Sequence, residues 1–237
     1  MRNETQGESE NDKHASSMRG AGEERKSHTL TLTPGDQLMG LSVFQIDQPH
    51  QQTLVQVAAA TSREVGPQDG IQGSAIFSGM NKGDVAVLTQ WVERSLYDQA
   101  PQTLLKPIEG DLYRLALQHH ITGQTTSCFT PDDGFFHFIN VFRLASGRSK
   151  DFLDYFQRAI PLVSASPGFV STNVLISLDE CHAVNLVQFQ TRQDFRAILR
   201  RPRILLTFSE PPRRRIILGL PRFRDYDLVA ASSSEDV

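Results

Sequence analysis

The chain has 237 residues, enough for one large domain or two of ordinary size. With 39% hydrophobic residues, 22% charged residues and a net charge of −3, it reads as a globular protein with no general positive charge to draw nucleic acid. No apolar run approaches the roughly 18 residues of a membrane helix, and Cys128 and Cys181 are too few for a disulfide framework, so the expected location is the cytoplasm.

Residues 1–37 are polar, rich in Gly and Ser, and lack the apolar core of a signal peptide. Such a stretch cannot bury enough surface to offset its ordering entropy, and it is expected to be a disordered tail. Met18 and Met39 are alternative starts. Beyond the tail the chain repeats itself. Shifted by 98 residues, 40–97 lie on 138–195 without a gap: Val43 and Phe44 meet Val141 and Phe142, Gly70 meets Gly168, and Gln90 meets Gln188. Identities are few; the shared order of apolar runs and breakers is the stronger sign.

Taken in chain order, each copy opens on a short strand, "LSVFQI" or "FHFINVF". A helical stretch follows. In the second copy Phe152, Leu153, Phe156, Ile160 and Val163 recur at helical spacing, with Ser149 as the expected N-cap and Pro161 distorting the last turn. The runs "GIQGSAIF" and "PGFVSTNVLISL" lead through the hairpin turns "GMNKGD" and "SLDECH" into "VAVLTQW" and "AVNLVQF". A second helix and a last strand, "DLYRLALQ" or "DYDLVA", complete each copy; matching Tyr113 to Tyr226 needs about fifteen extra residues in the second. Each unit is therefore β-α-β-β-α-β, the ferredoxin-like plan. The α+β expectation is a first unit at 38–122, a linker at 123–134, and a second unit at 135–231. The second unit carries an Arg-rich insertion at 200–224, and a disordered tail follows at 232–237. Two such units can cover each other sheet to sheet, making an intrachain dimer-like barrel, so the chain is expected as a monomer or as an oligomer of pseudo-dimers.

Alternate strand residues share a face. Asn185, Val187 and Phe189 therefore point together, as do Val87, Thr89 and Trp91 in the first unit. Tyr97 and Phe195 lie one turn into the following helices. Ser42 and Asn140 on the opening strands are each followed on their face by a phenylalanine, Phe44 and Phe142. Each unit has the composition to line a small-molecule pocket between sheet and helices, although in most ferredoxin-like domains such aromatics are simply core. His119 and His120 are neighbours and face opposite ways, so they cannot chelate one ion, and no metal cluster or nucleotide fingerprint is evident. His137 and His182 are further titratable candidates, on the opposite strand face.

The stretch "PGFVSTNVLISLDECHAVNLVQFQTRQDF", with "INVFRL" and the helix from Lys150 to Ala159, resembles the antibiotic biosynthesis monooxygenase family. The family's hallmarks are a Pro-Gly-aromatic opening to the second strand, a third strand reading Asn-x-x-Gln-Trp, where this chain has Phe189 in the Trp place, and a helix beginning with Ser or Thr and Arg or Glu. The likeness runs from about 135 to 198 and more faintly from 39 to 98. It implies a dimeric α+β barrel. It also implies cofactor-independent oxidation of an aromatic polyketide, of anthrone or phenol type, with molecular oxygen as co-substrate and no metal. The family's Asn, Trp and Tyr set falls on Asn185, Phe189 and Phe195 in the second unit and on Val87, Trp91 and Tyr97 in the first. The catalytic candidates are thus Asn185, Trp91 and Tyr97, and the substrate-binding candidates are Asn140, Ser42, Phe142, Phe189 and Phe195. A related haem-degrading branch needs a histidine on the second helix, which neither copy has.

Residues 200–224 hold eight arginines and no lysine. Arg suits bidentate grips on phosphate or carboxylate, so docking of an acidic carrier protein is one expectation and a solvated loop the plainer one. Two competing functions stay open: a non-oxidising, cyclase-like protein that folds a polyketide by confinement, and an inactive binding or scaffold barrel.

Overall fold

The computed structural model describes residues 29–35, 37–64, 69–80, 83–103, 105–106, 112–131, 133–202, 216–218 and 222–233. The first unit consists of β2 (Leu38–Gln45), α1 (Gln48–Glu64), β3 (Ile71–Gly79), β4 (Asp84–Trp91), α2 (Arg94–Gln99) and β5 (Leu112–His120). The second repeats that order with β7 (Phe136–Arg143), α3 (Ser149–Ser164), β8 (Phe169–Ser177), β9 (His182–Phe189), α4 (Arg192–Leu199) and β10 (Arg222–Ser233). Two short strands stand outside the units: β1 (Leu30–Leu32) and β6 (Ser127–Phe129). The expected pair of ferredoxin-like repeats, closed into one α+β barrel, is the observed fold.

Within each unit the hairpin and the opening strand are antiparallel neighbours, β3-β4-β2 and β8-β9-β7. Closure comes from the last strands. β5 touches β2 only through Leu38–Gly40 and then runs along β8, while β10 leaves β7 at Tyr226 and continues along β3. The result is a closed barrel, β10-β3-β4-β2-β5-β8-β9-β7. Each unit lends its last strand to the other, so no sheet edge is left bare among these strands. The sheet faces turned away from the helices enclose the common core, with Phe77 and Leu88 from the first unit and Leu186 and Tyr226 from the second.

Two local devices recur at equivalent positions. Gly70 and Gly168 both adopt positive φ, +84° and +72°. Each carbonyl accepts a backbone hydrogen bond just past the third strand, from Val92 (3.0 Å) and Gln190 (2.6 Å). A Cβ at Gly70 would strike the Leu96 side chain of α2, and one at Gly168 would strike the Asp194 carboxylate of α4. Only glycine lets the start of the second strand sit so close to the second helix. Thr191 caps α4, its hydroxyl accepting from the Asp194 backbone N–H at 3.1 Å.

Several boundaries differ from the sequence-based expectation. Leu30–Leu32, placed in the tail, pair with Ser127–Phe129, placed in the linker, and this ribbon plugs one end of the barrel with Leu30, Leu32 and Phe129 fully buried. Leu30 packs over Gly73, where a Cβ would meet its Cδ1 at 2.8 Å. β10 extends to Ser233, taking the first residues of the expected C-terminal tail. It also takes Arg222–Arg224 from the expected insertion, and Ile217 from the same segment bridges to Leu144. α3 continues past Pro161 to Ser164, and Ser149 lies inside it, its hydroxyl donating to Glu180 at 2.6 Å rather than capping the helix. Residues 1–28 and the Arg-rich core of the insertion, 203–215, lie outside the described residues.

Candidate active site

In the second unit β7, β8 and β9 form one wall of a cavity of about 300 Å³, and α3 and α4 form the other. Its lining is almost wholly apolar. Phe138 and Phe142 come from β7, Val187 and Phe189 from β9, Phe156 from α3 and Phe195 from α4. The rings interlock, with Phe138 and Phe195 centroids 4.0 Å apart and Phe189 and Phe195 5.5 Å apart. Leu199, 47% exposed, marks the side open to solvent.

The polar groups cluster on the sheet wall. Asn140 and Asn185 are direct cross-strand partners, so their side chains lie side by side on one face. Both are buried, at 6% and 8% exposure. Thr172 of β8 donates its hydroxyl hydrogen to Asn185 Oδ1 at 2.6 Å. That contact fixes the amide and leaves Asn185 Nδ2 as a donor on the cavity wall. Asn140 Oδ1 is buried with no hydrogen-bond partner among the described residues. An unsatisfied buried amide oxygen costs on the order of 1–3 kcal/mol, and a bound ligand hydroxyl would remove that cost. Tyr155, 3% exposed, adds a third hydroxyl-bearing or amide side chain type from α3. Among the described residues lining the cavity there is no His, Asp, Glu, Lys, Arg or Cys.

The site candidates divide accordingly. Asn140, Phe142, Asn185, Phe189 and Phe195 all line this cavity. Trp91 and Tyr97 do not join them; they lie in the first unit's own core with Val55, Val87 and Leu105. There Trp91, 1% exposed, donates its indole N–H to Thr89 Oγ1 at 3.1 Å and meets Tyr97 edge-on at 5.1 Å. Arg94 and Lys106 stand over the Tyr97 ring, 5.5 and 4.8 Å from its centre. Ser42 is half-buried on β2 opposite Val87. The split of the Asn, Trp and Tyr set between units is therefore a physical separation. Thr172 and Tyr155 were missed by pattern reading. Thr172 meets Asn185 only because a register shift between Phe169 and Ser171 displaces the start of β8 along β9.

His137 is on the other face of β7, in the barrel core against Phe77, Phe129 and Gln188. Burial pushes its imidazole down to about 4, which keeps it neutral near pH 7. Among the described residues no group of three or more His, Cys, Asp or Glu is arranged to hold a metal ion. No described helix is long and apolar enough to cross a membrane.

Residues 135–207 match the family model described as antibiotic biosynthesis monooxygenase. No curated protein sequence matches the chain. Among solved structures the chain is similar to an anthrone oxidase-like protein, with TM-score 0.74 at 15% identity, covering 86% of this chain and 97% of that one. It is also similar to a candidate monooxygenase from Fusobacterium nucleatum, with TM-score 0.57 at 8% identity, covering 83% and 94%. A protein described as a major regulator of staphylococcal pathogenesis shares the fold as well, with TM-score 0.51 at 10% identity, covering 81% and 99%. At such identities the likeness is one of fold, and the same fold serves different ends. Residues 135–207 are thus similar to the antibiotic biosynthesis monooxygenase family, and both halves of the chain are built on the ferredoxin-like unit.

Proposed function

We propose that the second-unit cavity binds a flat aromatic polyketide intermediate of anthrone or phenol type and promotes its oxidation by molecular oxygen without a cofactor. The observation that carries this reading is the pairing of Asn140 and Asn185 on the floor of an otherwise apolar, aromatic-walled cavity. A planar ring system fits the aromatic walls, and its oxygen-bearing edge meets the amides. Asn185 Nδ2 donates to the oxygen that gains charge as the substrate loses a proton, and Asn140 Oδ1 accepts from a neighbouring substrate hydroxyl. The described lining residues include no strong base, which suits a substrate whose C–H or O–H is made acidic by its own conjugation. Tyr155 is a lining hydroxyl that can pass a proton, while the Thr172 hydroxyl holds the Asn185 amide.

The reaction balances without a further reactant. The enolate carbon of an anthrone methylene bonds to one atom of dioxygen, giving a hydroperoxide. Loss of water then leaves a ketone. One oxygen atom enters the product and the other leaves as water.

The test is oxygen uptake by the purified protein with a model anthrone, followed together with quinone formation. Uptake should exceed the spontaneous rate and fall at least tenfold in Asn185→Ala and in Asn140→Ala. Uptake no faster than without protein would overturn the oxygenase reading. A new ring pattern formed without oxygen consumption would instead favour a cyclase-like role.

A further inference from the structure

A second cavity, of about 180 Å³, lies toward the end of the barrel away from the β1–β6 plug. This one lies inside the barrel, on the sheet face opposite Asn140 and Asn185. Its floor is Leu41, Ile139, Tyr113 and Tyr226, each no more than 2% exposed, and its mouth is marked by the exposed Val43 and Gln45. Tyr113 and Tyr226 occupy equivalent places in the two last strands, so the cavity sits where the units meet.

Three observations point to a ligand. The Tyr226 side chain is 1% exposed and lines the cavity beside Arg224. Arg224 lines the same cavity and engages the buried Asp84 carboxylate through one guanidinium nitrogen, Nη1, at 2.8 Å, leaving its other N–H groups without a described partner. Val43 is a large apolar side chain 39% exposed at the rim. Burial and the Asp84 carboxylate both push the Tyr226 phenol upward, so it stays a hydrogen-bond donor.

We propose that this cavity is a second binding site, for a small carboxylic acid with a compact apolar body. The carboxylate accepts from the Tyr226 hydroxyl and from the unused N–H groups of Arg224, and the apolar body lies against Leu41, Val43, Ile139 and Val141. A dry cavity of about 150 Å³ holds one benzene ring, so the site takes a single-ring acid and not the fused rings suited to the larger cavity. The inference does not rest on the oxygenase reading.

Benzoate is the probe, titrated into the full chain by calorimetry, with benzyl alcohol as the uncharged comparison. Benzoate should bind in one-to-one ratio. Tyr226→Phe should weaken it about tenfold, the worth of one hydrogen bond to a charged group. Val43→Trp, a rim change that leaves the buried core untouched, should abolish binding, and Asn185→Ala should leave it unchanged. Three results would overturn the site: no heat with benzoate, benzyl alcohol binding as tightly, or binding that survives Tyr226→Phe and Val43→Trp but is lost in Asn185→Ala.

Discussion

At the scale of single residues the second-unit cavity turns on one hydroxyl. Thr172 is 4% exposed and makes a 2.6 Å hydrogen bond that sets which way the Asn185 amide faces. Thr172→Val keeps the shape but removes the donor, so the amide can turn its oxygen toward the substrate. If the cavity is the oxygenase site, kcat should fall about tenfold in Thr172→Val with little change in KM, because the lost donor acts on developing charge. Thr172→Ser restores the hydroxyl and should recover most of the rate. A valine variant as fast as wild type would remove Thr172 from the positioning role. Trp91 is the contrasting case. Its indole N–H is already satisfied by Thr89 and its ring is packed against Tyr97, so nothing about it is held ready for a ligand.

At the scale of elements the two glycines at the second-strand starts hold the architecture of each unit. Gly70 and Gly168 combine a left-handed backbone with a helix too close for any side chain. Gly70→Ala and Gly168→Ala should each destabilise by about 1–3 kcal/mol, the usual cost of such strain, read as a lowered midpoint in urea or thermal unfolding. Gly168→Ala should do more, because its Cβ would push on Asp194, next to the cavity-lining Phe195. Midpoints equal to wild type would mean that the helices shift freely and the close approach is unimportant. The same pair of residues explains why the repeat is visible at so low an identity: geometry, not chemistry, constrains both positions.

At the scale of the whole molecule the two units are not separable. Their last strands are exchanged, and the barrel core mixes side chains from both units and from the plug. His137 sits at that junction, with Phe77 from the first unit and Phe129 from the plug against its ring. Its imidazole titrates at about 4 when folded and near 6.5 when unfolded. Above pH 6.5 the group is neutral in both states and imposes no pH dependence. As pH falls from 6.5 to 4 the unfolded chain takes up the proton and the folded one does not, so stability drops. The full loss is about 3 kcal/mol, reached near and below pH 4. Urea unfolding between pH 7.5 and 4.5 should show this fall in wild type and a clearly smaller one in His137→Phe. Equal slopes in the two would show that His137 is solvated.

The amino-acid sequence by itself determined what depends on local order. The 98-residue echo, the helical spacing of Phe152, Phe156 and Ile160, and the strand alternation of Asn185, Val187 and Phe189 were enough for the unit, its doubling and one face of the cavity. These signals are periods of 2 and 3.6, carried by neighbouring residues. Tertiary structure alone decided the rest. Leu30–Leu32 and Ser127–Phe129 are too short to show a period, and they become strands only by finding each other across the chain at the barrel end. The distance between Trp91 and Asn185 is set by which face of the closed barrel each unit turns outward, and no local pattern encodes it. Whether a unit keeps a cavity depends on the summed volume of side chains from several elements. Trp91, Tyr97 and Leu105 pack together in the first unit, and Phe189, Phe195 and the paired asparagines line the cavity of the second.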